Sequence, residues 1–256
     1  MGKFFTKIRR RENWFYEFLY VTFFRLRRMN MPGVFLPFYR AISLLRQVLI
    51  DFLRRLGTFF YYEPMLRSRC RRVGSGLNYV KLRQGFPYFH GDIQLFIGDN
   101  VTVHSRSSFS AASLFDKPSL YIGDRTYLGP GLSIGVAKQV SIGASCFIST
   151  NVNITDNDGH PLDPIKRAEG KSVAEKDVLP VKIGDYVWIG EGSSILKGIT
   201  IGEGAVVGTK SVVVRDIEPF TVVAGNPAVV IGRIPQRRAA DVSDELEQVE
   251  GVSRPV

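Results

Sequence analysis

The chain has 256 residues, which is long enough for one large domain with an appendage, and its formal net charge is +10 at pH 7. Only two cysteines occur, Cys70 and Cys146, so the composition excludes a disulfide-stapled scaffold and is typical of a reducing compartment. The charge is unevenly placed, because residues 1–72 hold sixteen Lys or Arg against four acidic residues, a net of +12, and the remainder sums to −2. The amino-terminal segment is therefore expected to have a partner of its own.

Residues 1–72 combine this positive charge with many aromatic side chains, among them Trp14, Phe15 and Tyr16. No apolar stretch approaches the roughly 18–20 uncharged residues that span a bilayer, and no small-residue cleavage site of a signal peptide is present. Residues 39–56 show the periodicity of an amphipathic helix with most arginines off the apolar face. The sequence predicts a basic, helical segment.

A basic, aromatic helical segment suits three kinds of partner to different degrees. A helix with a basic face and an aromatic, aliphatic face suits a membrane interface, which favours peripheral membrane contact. The alternative is a helical cap packed on the first coil of the following domain or on a neighbouring subunit. Nucleic acid is disfavoured, because the basic residues alternate with large aliphatic ones and no recognised nucleic-acid motif occurs.

An aliphatic residue returns at every sixth position between residues 183 and 213. The series, in which glycine follows four members, is Ile183, Ile189, Ile195, Ile201, Val207 and Val213. This period matches neither a strand nor a surface helix and is the signature of a hexapeptide parallel β-helix. Because the pattern continues upstream in broken form, residues 73–234 are predicted to form one all-β solenoid.

Two stretches interrupt the pattern: a short excursion at residues 110–118 and a long polar loop at residues 157–180. His160 stands at the mouth of the long loop, and Asp156 and Asp158 are near enough in sequence to orient one of its ring nitrogens and leave the other free as a base. The acidic residues lack the spacing of a calcium loop. A zinc site of three histidines is also hard to assemble, so no metal is predicted.

Five blocks of sequence, in this order, carry a family resemblance. They are Val152–Ile154, Gly159–Pro164, Val181–Gly190, Gly198–Gly202 and Val223–Ala228. Together they resemble the maltose/galactoside acetyltransferase branch of the hexapeptide-repeat acyltransferases. The resemblance implies a left-handed parallel β-helix, a homotrimer, and acetyl-CoA as donor in the groove between adjacent columns. Left-handedness comes from the resemblance alone, since the general crossover rule predicts the opposite hand.

The resemblance also implies roles for individual residues. His160 falls on the family's catalytic histidine, a general base, whereas Asp156 and Asp158 have no clear family counterpart. An asparagine that contacts the acceptor in the family aligns with Gly129, so the acceptor need not be the family's free sugar. The implied contacts to CoA are Trp188, Gly190, Glu191, Gly208, Thr209, Val214, Arg215, Asn226 and Arg233.

The resulting hypothesis is an acetyl-CoA-dependent O-acetyltransferase that acts on a saccharide hydroxyl. With an interfacial segment at residues 1–72, the acceptor would be a lipid-linked or surface-polysaccharide precursor, and the protein would be cytoplasmic, at the inner face of the cytoplasmic membrane. The alternatives are N-acetylation of an amino sugar and a non-enzymatic β-helix scaffold. Residues 235–256 form an acidic tail for which no function is predicted.

Overall fold

The computed structural model describes residues 6–7, 10–11, 13–28, 35–74, 80–83, 85–112 and 114–235. The predicted acidic tail lies outside these residues, apart from Pro235. The chain forms two compact units, Met1–Leu53 and Arg54–Val256.

Two long helices precede the solenoid, α1 at Trp14–Arg28 and α2 at Leu36–Gly57. Helix α2 confirms the amphipathic period predicted for residues 39–56. Every residue of α2 is described, and none of its side chains is buried. No helix among the described residues is long and apolar enough to cross a membrane.

The end of the basic segment caps the first coil. A π-helical turn at Thr58–Tyr62 leads into helix α3 at Glu63–Arg69, where Leu66 is 1% exposed and belongs to the solenoid core. The first strand then begins at Cys70, three residues before the predicted boundary at residue 73. Within residues 58–69, Tyr62 and Leu66 pack on the core as the capping alternative predicts, whereas no side chain of α2 is buried.

The solenoid has three parallel sheets, one on each side of the column. The first sheet contains β1 Cys70–Val73, β4 Gln94–Ile97, β7 Ser119–Ile122, β10 Gln139–Ile142, β13 Val181–Ile183 and β16 Thr200–Ile201. The second contains β2 Lys81–Arg83, β5 Thr102–His104, β8 Tyr127–Leu128, β11 Phe147–Ile148, β14 Trp188–Ile189, β17 Val206–Val207, β19 Thr221–Gly225 and β20 Ala228–Arg233. The third contains β3 Tyr88–His90, β6 Ser108–Ala111, β9 Ser133–Val136, β12 Asn153–Thr155, β15 Ser194–Ile195 and β18 Val212–Val213.

The repeated aliphatic residues line the inside of this column, as the six-residue period predicts. Ile148, Ile189 and Val207 stack in register in the second sheet and are fully buried. Strand β10 points two residues inward, Val140 and Ile142, which accounts for the two-residue slip in the sequence pattern. This parallel coil of about seven turns agrees with the left-handed β-helix that the resemblance implied.

The two interruptions contact each other. The long loop contains helix α4 at Pro164–Ala168 and a 3-10 turn at Glu175–Asp177, and it returns two side chains, Val173 and Val178, to the column. These valines are buried with Ala137 in a second small core, against which Ala112, Leu114 and Phe115 of the excursion pack. The loop is therefore tied to the column at its side, a contact that the sequence did not predict.

The last coil ends in an antiparallel hairpin of β19 and β20. Asn226 and Pro227, joined by a cis peptide bond, form its turn. The hairpin ends the parallel stacking of the second sheet, so Asn226 has a structural position irrespective of any ligand.

Candidate functional site

Asp156 anchors the start of the long loop to the preceding coil. Its carboxylate is fully buried and accepts hydrogen bonds from the backbone N–H groups of Ala137 at 2.7 Å, Lys138 at 2.6 Å and Gln139 at 2.8 Å. The Asn157 side-chain amide donates a fourth, at 2.9 Å. The predicted partnership with His160 is therefore wrong for Asp156, because its acceptor oxygens already serve the backbone.

The turn after Asp156 directs His160 outward. Asn157 is buried, and its Oδ1 accepts a hydrogen bond from the Gly159 N–H at 2.8 Å. Gly159 has a φ of +75°, a conformation that favours glycine. The His160 side chain that follows is exposed and makes no hydrogen bond within the described part of the chain. Its ring nitrogens are thus accessible to a ligand, as a general base requires.

Asp158 holds the two ends of the loop together through Lys197. The Lys197 ammonium lies 2.5 Å from Asp158 Oδ2 and also donates to the backbone oxygen of Asp177 at 2.9 Å. Asp158 belongs to the beginning of the loop and Asp177 to its end, so one lysine joins both. We call Asp158, Asp177 and Lys197 the loop neck. Asp158 makes no hydrogen bond to His160 in the described structure. Instead of orienting the imidazole directly, as predicted, it helps to hold together the loop that carries His160.

Replacing Lys197 with methionine is expected to loosen the loop while leaving the column folded. The substitution keeps most of the side-chain volume but removes both neck contacts, and charged hydrogen bonds of this kind are worth about 1.5–3 kcal/mol. Limited trypsin digestion, followed by mass spectrometry of the cuts at Lys166 and Arg167, should show cleavage about tenfold faster or more. The exposed strand residue Lys182, replaced in the same way, is the matched control. Equal cleavage of both variants would contradict a role for the neck.

A groove of about 440 Å³ runs along the third sheet and ends beside the mouth of the loop. Along its floor, His90, Ser110, Gly135 and Thr155 follow one another in register on successive coils. A Cβ on Gly135 would lie 3.1 Å from Thr155 Oγ1, so this glycine keeps a gap between hydroxyl groups open. Asp158 and Gly159 form the end of the groove nearest His160.

The groove offers the chemistry of a site for a hydroxyl-rich ligand. Within the described residues, the His90 ring, the Ser133 hydroxyl and the Asn153 amide have no hydrogen-bond partner, although all three line the groove. Hydroxyl, amide and imidazole groups both donate and accept hydrogen bonds. The sequence identified none of these residues, because they are separated by up to 63 positions and meet only through the stacking of coils.

Most of the residues predicted to contact CoA fall on two different corners of the column. Trp188 begins β14, and Gly190 and Glu191 follow this strand at the corner between the second and third sheets. The β14–β17 register aligns Gly190 and Glu191 with Gly208 and Thr209. The later Asn226 lies in the hairpin that continues this corner. In contrast, Val214 and Arg215 follow β18, on the corner from which the His160 loop departs. Arg233 ends β20 opposite Thr221.

Trp188 presents a broad surface at the first of these corners. Its side chain is about half exposed, and its indole N–H donates to Ser149 Oγ at 3.3 Å. Gly190 permits close approach of the chain, since a Cβ there would lie 2.6 Å from the backbone nitrogen of Thr209. A glycine at position 190 is therefore required by the stacking of coils, whether or not a ligand binds.

Cys146 plays no part in the site. It is buried, its thiol donates to the Gly184 backbone oxygen at 3.1 Å, and burial raises the thiol pKa to about 11. A thiol with such a pKa is protonated near pH 7 and is a poor nucleophile. No cluster of three His, Cys, Asp or Glu side chains suited to a metal occurs among the residues that the structure describes.

Comparison with known proteins agrees with this fold. The family described as bacterial transferase hexapeptide (six repeats) matches residues 180–215. A putative acetyltransferase of Schizosaccharomyces pombe is 41% identical over 190 residues, which cover 68% of this chain and 86% of the relative. The galactoside O-acetyltransferase of Escherichia coli is 35% identical over 141 residues, covering 55% of this chain and 64% of that protein.

Two further matches limit which properties of known proteins apply to this chain. A putative acetyltransferase of Saccharomyces cerevisiae is 44% identical over 119 residues, which cover 46% of this chain and 58% of the relative. The chain thus spans less than two thirds of this protein and of the galactoside O-acetyltransferase. The crystal structure of an N-acyltransferase from Bacillus cereus, in complex with a dTDP-amino sugar and coenzyme A, matches with a TM-score of 0.51 at 17% identity, covering 73% of this chain and 96% of that one. At this identity the likeness concerns the fold alone.

The S. pombe relative is matched over most of its length, and the six-residue repeat, the three parallel sheets and the matching family description all agree with it. The chain therefore belongs to the hexapeptide-repeat acyltransferase family.

Proposed function

We propose that the protein transfers an acetyl group from acetyl-CoA to a saccharide hydroxyl, with His160 as the general base. The observation that carries the proposal is the position of His160, which is exposed by a fixed turn at the end of a groove lined with hydroxyl and amide groups. Family membership and the 35% identity to galactoside O-acetyltransferase support the type of reaction and the acceptor class.

The proposed chemistry requires one proton carrier. The free nitrogen of a neutral His160 takes the proton of the acceptor hydroxyl as its oxygen attacks the thioester carbonyl carbon. The carbon–sulfur bond then breaks, and His160 returns the proton to the departing sulfur. No covalent bond to the protein forms, which is consistent with the protonated, buried thiol of Cys146.

Binding of the donor is proposed to involve neighbouring copies in a homotrimer. Trp188, Glu191 and Thr209 occupy one corner of the column, whereas Arg215 and the loop of His160 occupy another. One donor molecule can contact both corners where the first corner of one copy faces the second corner of the next. Sedimentation equilibrium should therefore give the mass of three chains, and a mass of one chain under assay conditions would contradict this arrangement.

Release of free CoA from acetyl-CoA, followed with a thiol reagent, tests the reaction. The purified full chain is incubated with a panel of neutral, amino, nucleotide-linked and lipid-linked sugars, each compared with a sample without acceptor. Acceptor-dependent release with hydroxyl sugars is expected. Release with amino sugars alone would indicate that the acceptor group is an amine and not a hydroxyl. No release with any acceptor would favour a non-enzymatic scaffold.

We also propose that α2 binds an anionic membrane surface and that the acceptor is a lipid-linked or surface-polysaccharide precursor at the inner face of the cytoplasmic membrane. In α2, Leu45 is 70% exposed and Phe52 56% exposed, and they lie on one face of a helix that carries Arg46, Arg54 and Arg55. Such a helix gains free energy by inserting its apolar face between lipid head groups.

Vesicle flotation tests membrane binding with the full chain. The protein should float with vesicles containing anionic lipid and much less with neutral ones, and the variant Leu45→Asp/Phe52→Asp should lose this recovery. Val230→Asp, a change at an exposed residue of β20, is the matched control. Equal recovery of both variants with anionic vesicles would contradict the proposal. It would also be contradicted if Leu45→Asp/Phe52→Asp changed only the oligomeric state and floated as well as the wild type.

A further inference from the structure

Three basic or ionisable side chains meet at the corner between the second and third sheets, at the amino-terminal end of the column. Arg83 ends β2 and His104 ends β5, and the two residues pair in register, about 4.8 Å apart. The Ser107 N–H donates to the His104 backbone oxygen at 3.0 Å, which closes a tight turn that carries Arg106. Both arginine side chains are exposed.

The positive charge at this corner is not compensated. In the described part of the chain, neither guanidinium makes an ion pair or a hydrogen bond with a side chain. His104 Nε2 lies 3.1 Å from the Tyr127 hydroxyl, while Nδ1 is buried without a partner. Burial, followed by the charges of Arg83 and Arg106, lowers the pKa of His104, so the imidazole is neutral near pH 7. An anion would offset the repulsion between the two guanidinium groups.

The next coil places no side chain in line with His104. Val103 pairs with Leu128 of the next coil, so the residue in line with His104 is Gly129. A Cβ on Gly129 would lie 2.7 Å from the backbone carbonyl carbon of Ser149. No larger residue fits there without displacing the backbone. The Tyr127 ring stacks on Phe147 at 4.7 Å and contacts the His104 ring edge-on at 5.5 Å, which fixes the position of the imidazole.

We propose that Arg83, Arg106 and His104 form a binding site for a phosphate or carboxylate group. Guanidinium groups bind both anions through paired hydrogen bonds, and the neutral imidazole shares a proton with the Tyr127 hydroxyl close by. The site lies on a different corner from the His160 loop within one copy, and it stands whether or not the proposed transfer reaction is correct.

Titration of the full chain with inorganic pyrophosphate, and separately with glucuronate, tests the site through the NMR signals of the histidine rings. The sequence has only three histidines, so His104 can be assigned by substitution. A bound anion should raise the pKa of His104, because negative charge stabilises the imidazolium form. Arg83→Gln/Arg106→Gln should weaken binding at least about tenfold and abolish the rise. Arg125→Gln, which removes one positive charge from a neighbouring coil, should do neither.

Two results would overturn the proposal. One is an His104 signal that neither anion shifts, and the other is equal anion affinity in the double variant and in Arg125→Gln. Circular dichroism establishes that the variants are folded. Tighter binding of pyrophosphate would identify a phosphate ligand, and tighter binding of glucuronate an acidic sugar. Because no step of the assay depends on acetyl transfer, failure of the proposed enzymatic function would leave this result unaffected.

Discussion

Replacing His160 with alanine is expected to lower kcat by about 10²–10⁴-fold, the usual loss when a general base is removed. The KM for acetyl-CoA should change little, because the donor contacts are proposed to lie on other residues. His160 is exposed and makes no hydrogen bond within the described chain, so thermal stability should also be unchanged. Steady-state kinetics with the best acceptor of the panel, together with a thermal melt, measure these effects.

Leu162→Ala provides a matched control for this experiment. Leu162 is exposed, lies two residues from His160 in the same loop, and has no acid–base chemistry. A similar loss of kcat in both variants would show that the loop conformation matters and the imidazole does not. Unchanged turnover in His160→Ala would remove His160 from the mechanism.

Replacing Asp156 with alanine is expected to lower the free energy of unfolding by about 3–5 kcal/mol. Three backbone N–H groups and the Asn157 amide would lose their common acceptor, and a buried donor without a partner costs about 1–3 kcal/mol. The turn that fixes the start of the His160 loop would be lost as well. Urea denaturation, analysed for the midpoint and the slope, measures the change.

Asp163→Ala is the control for Asp156→Ala. Asp163 belongs to the same loop and caps α4 through the N–H groups of Ile165 and Lys166, but its contacts are exposed. Loss of this cap should cost only about 0.5–2 kcal/mol. If Asp156→Ala were as stable as the wild type and only inactive, the carboxylate would act in catalysis rather than in anchoring the loop.

The six-residue period was sufficient to predict the column, because an inward aliphatic residue on each side is a local property of the sequence. The helix at residues 39–56 was predictable for the same reason. The start of the first coil was displaced by three residues, since Cys70–Val73 lacks the aliphatic and glycine pattern of the later coils. The capping role of Leu66 depends on packing against the column and leaves no periodic signal.

The site was predictable only in part. The exposure of His160 followed from its position between Gly159 and Pro161 in a polar loop. The roles of the two aspartates did not, because Asp156 bonds to a turn 17 to 19 residues earlier and Asp158 to Lys197, 39 residues later. Proximity in sequence suggested that both carboxylates serve His160, whereas stacking of coils brings them other partners.

The small core of Val173, Val178 and Ala137, with Leu114 and Phe115 packed against it, has a consequence for how this protein can diverge. The column must keep its six-residue period, but the excursion at residues 110–118 is free of that requirement. Changes in the size of Leu114 or Phe115 would reposition the loop that carries His160 from some 45 residues away in the sequence. The position of the loop can thus evolve through substitutions in this remote excursion while the groove and His160 remain the same.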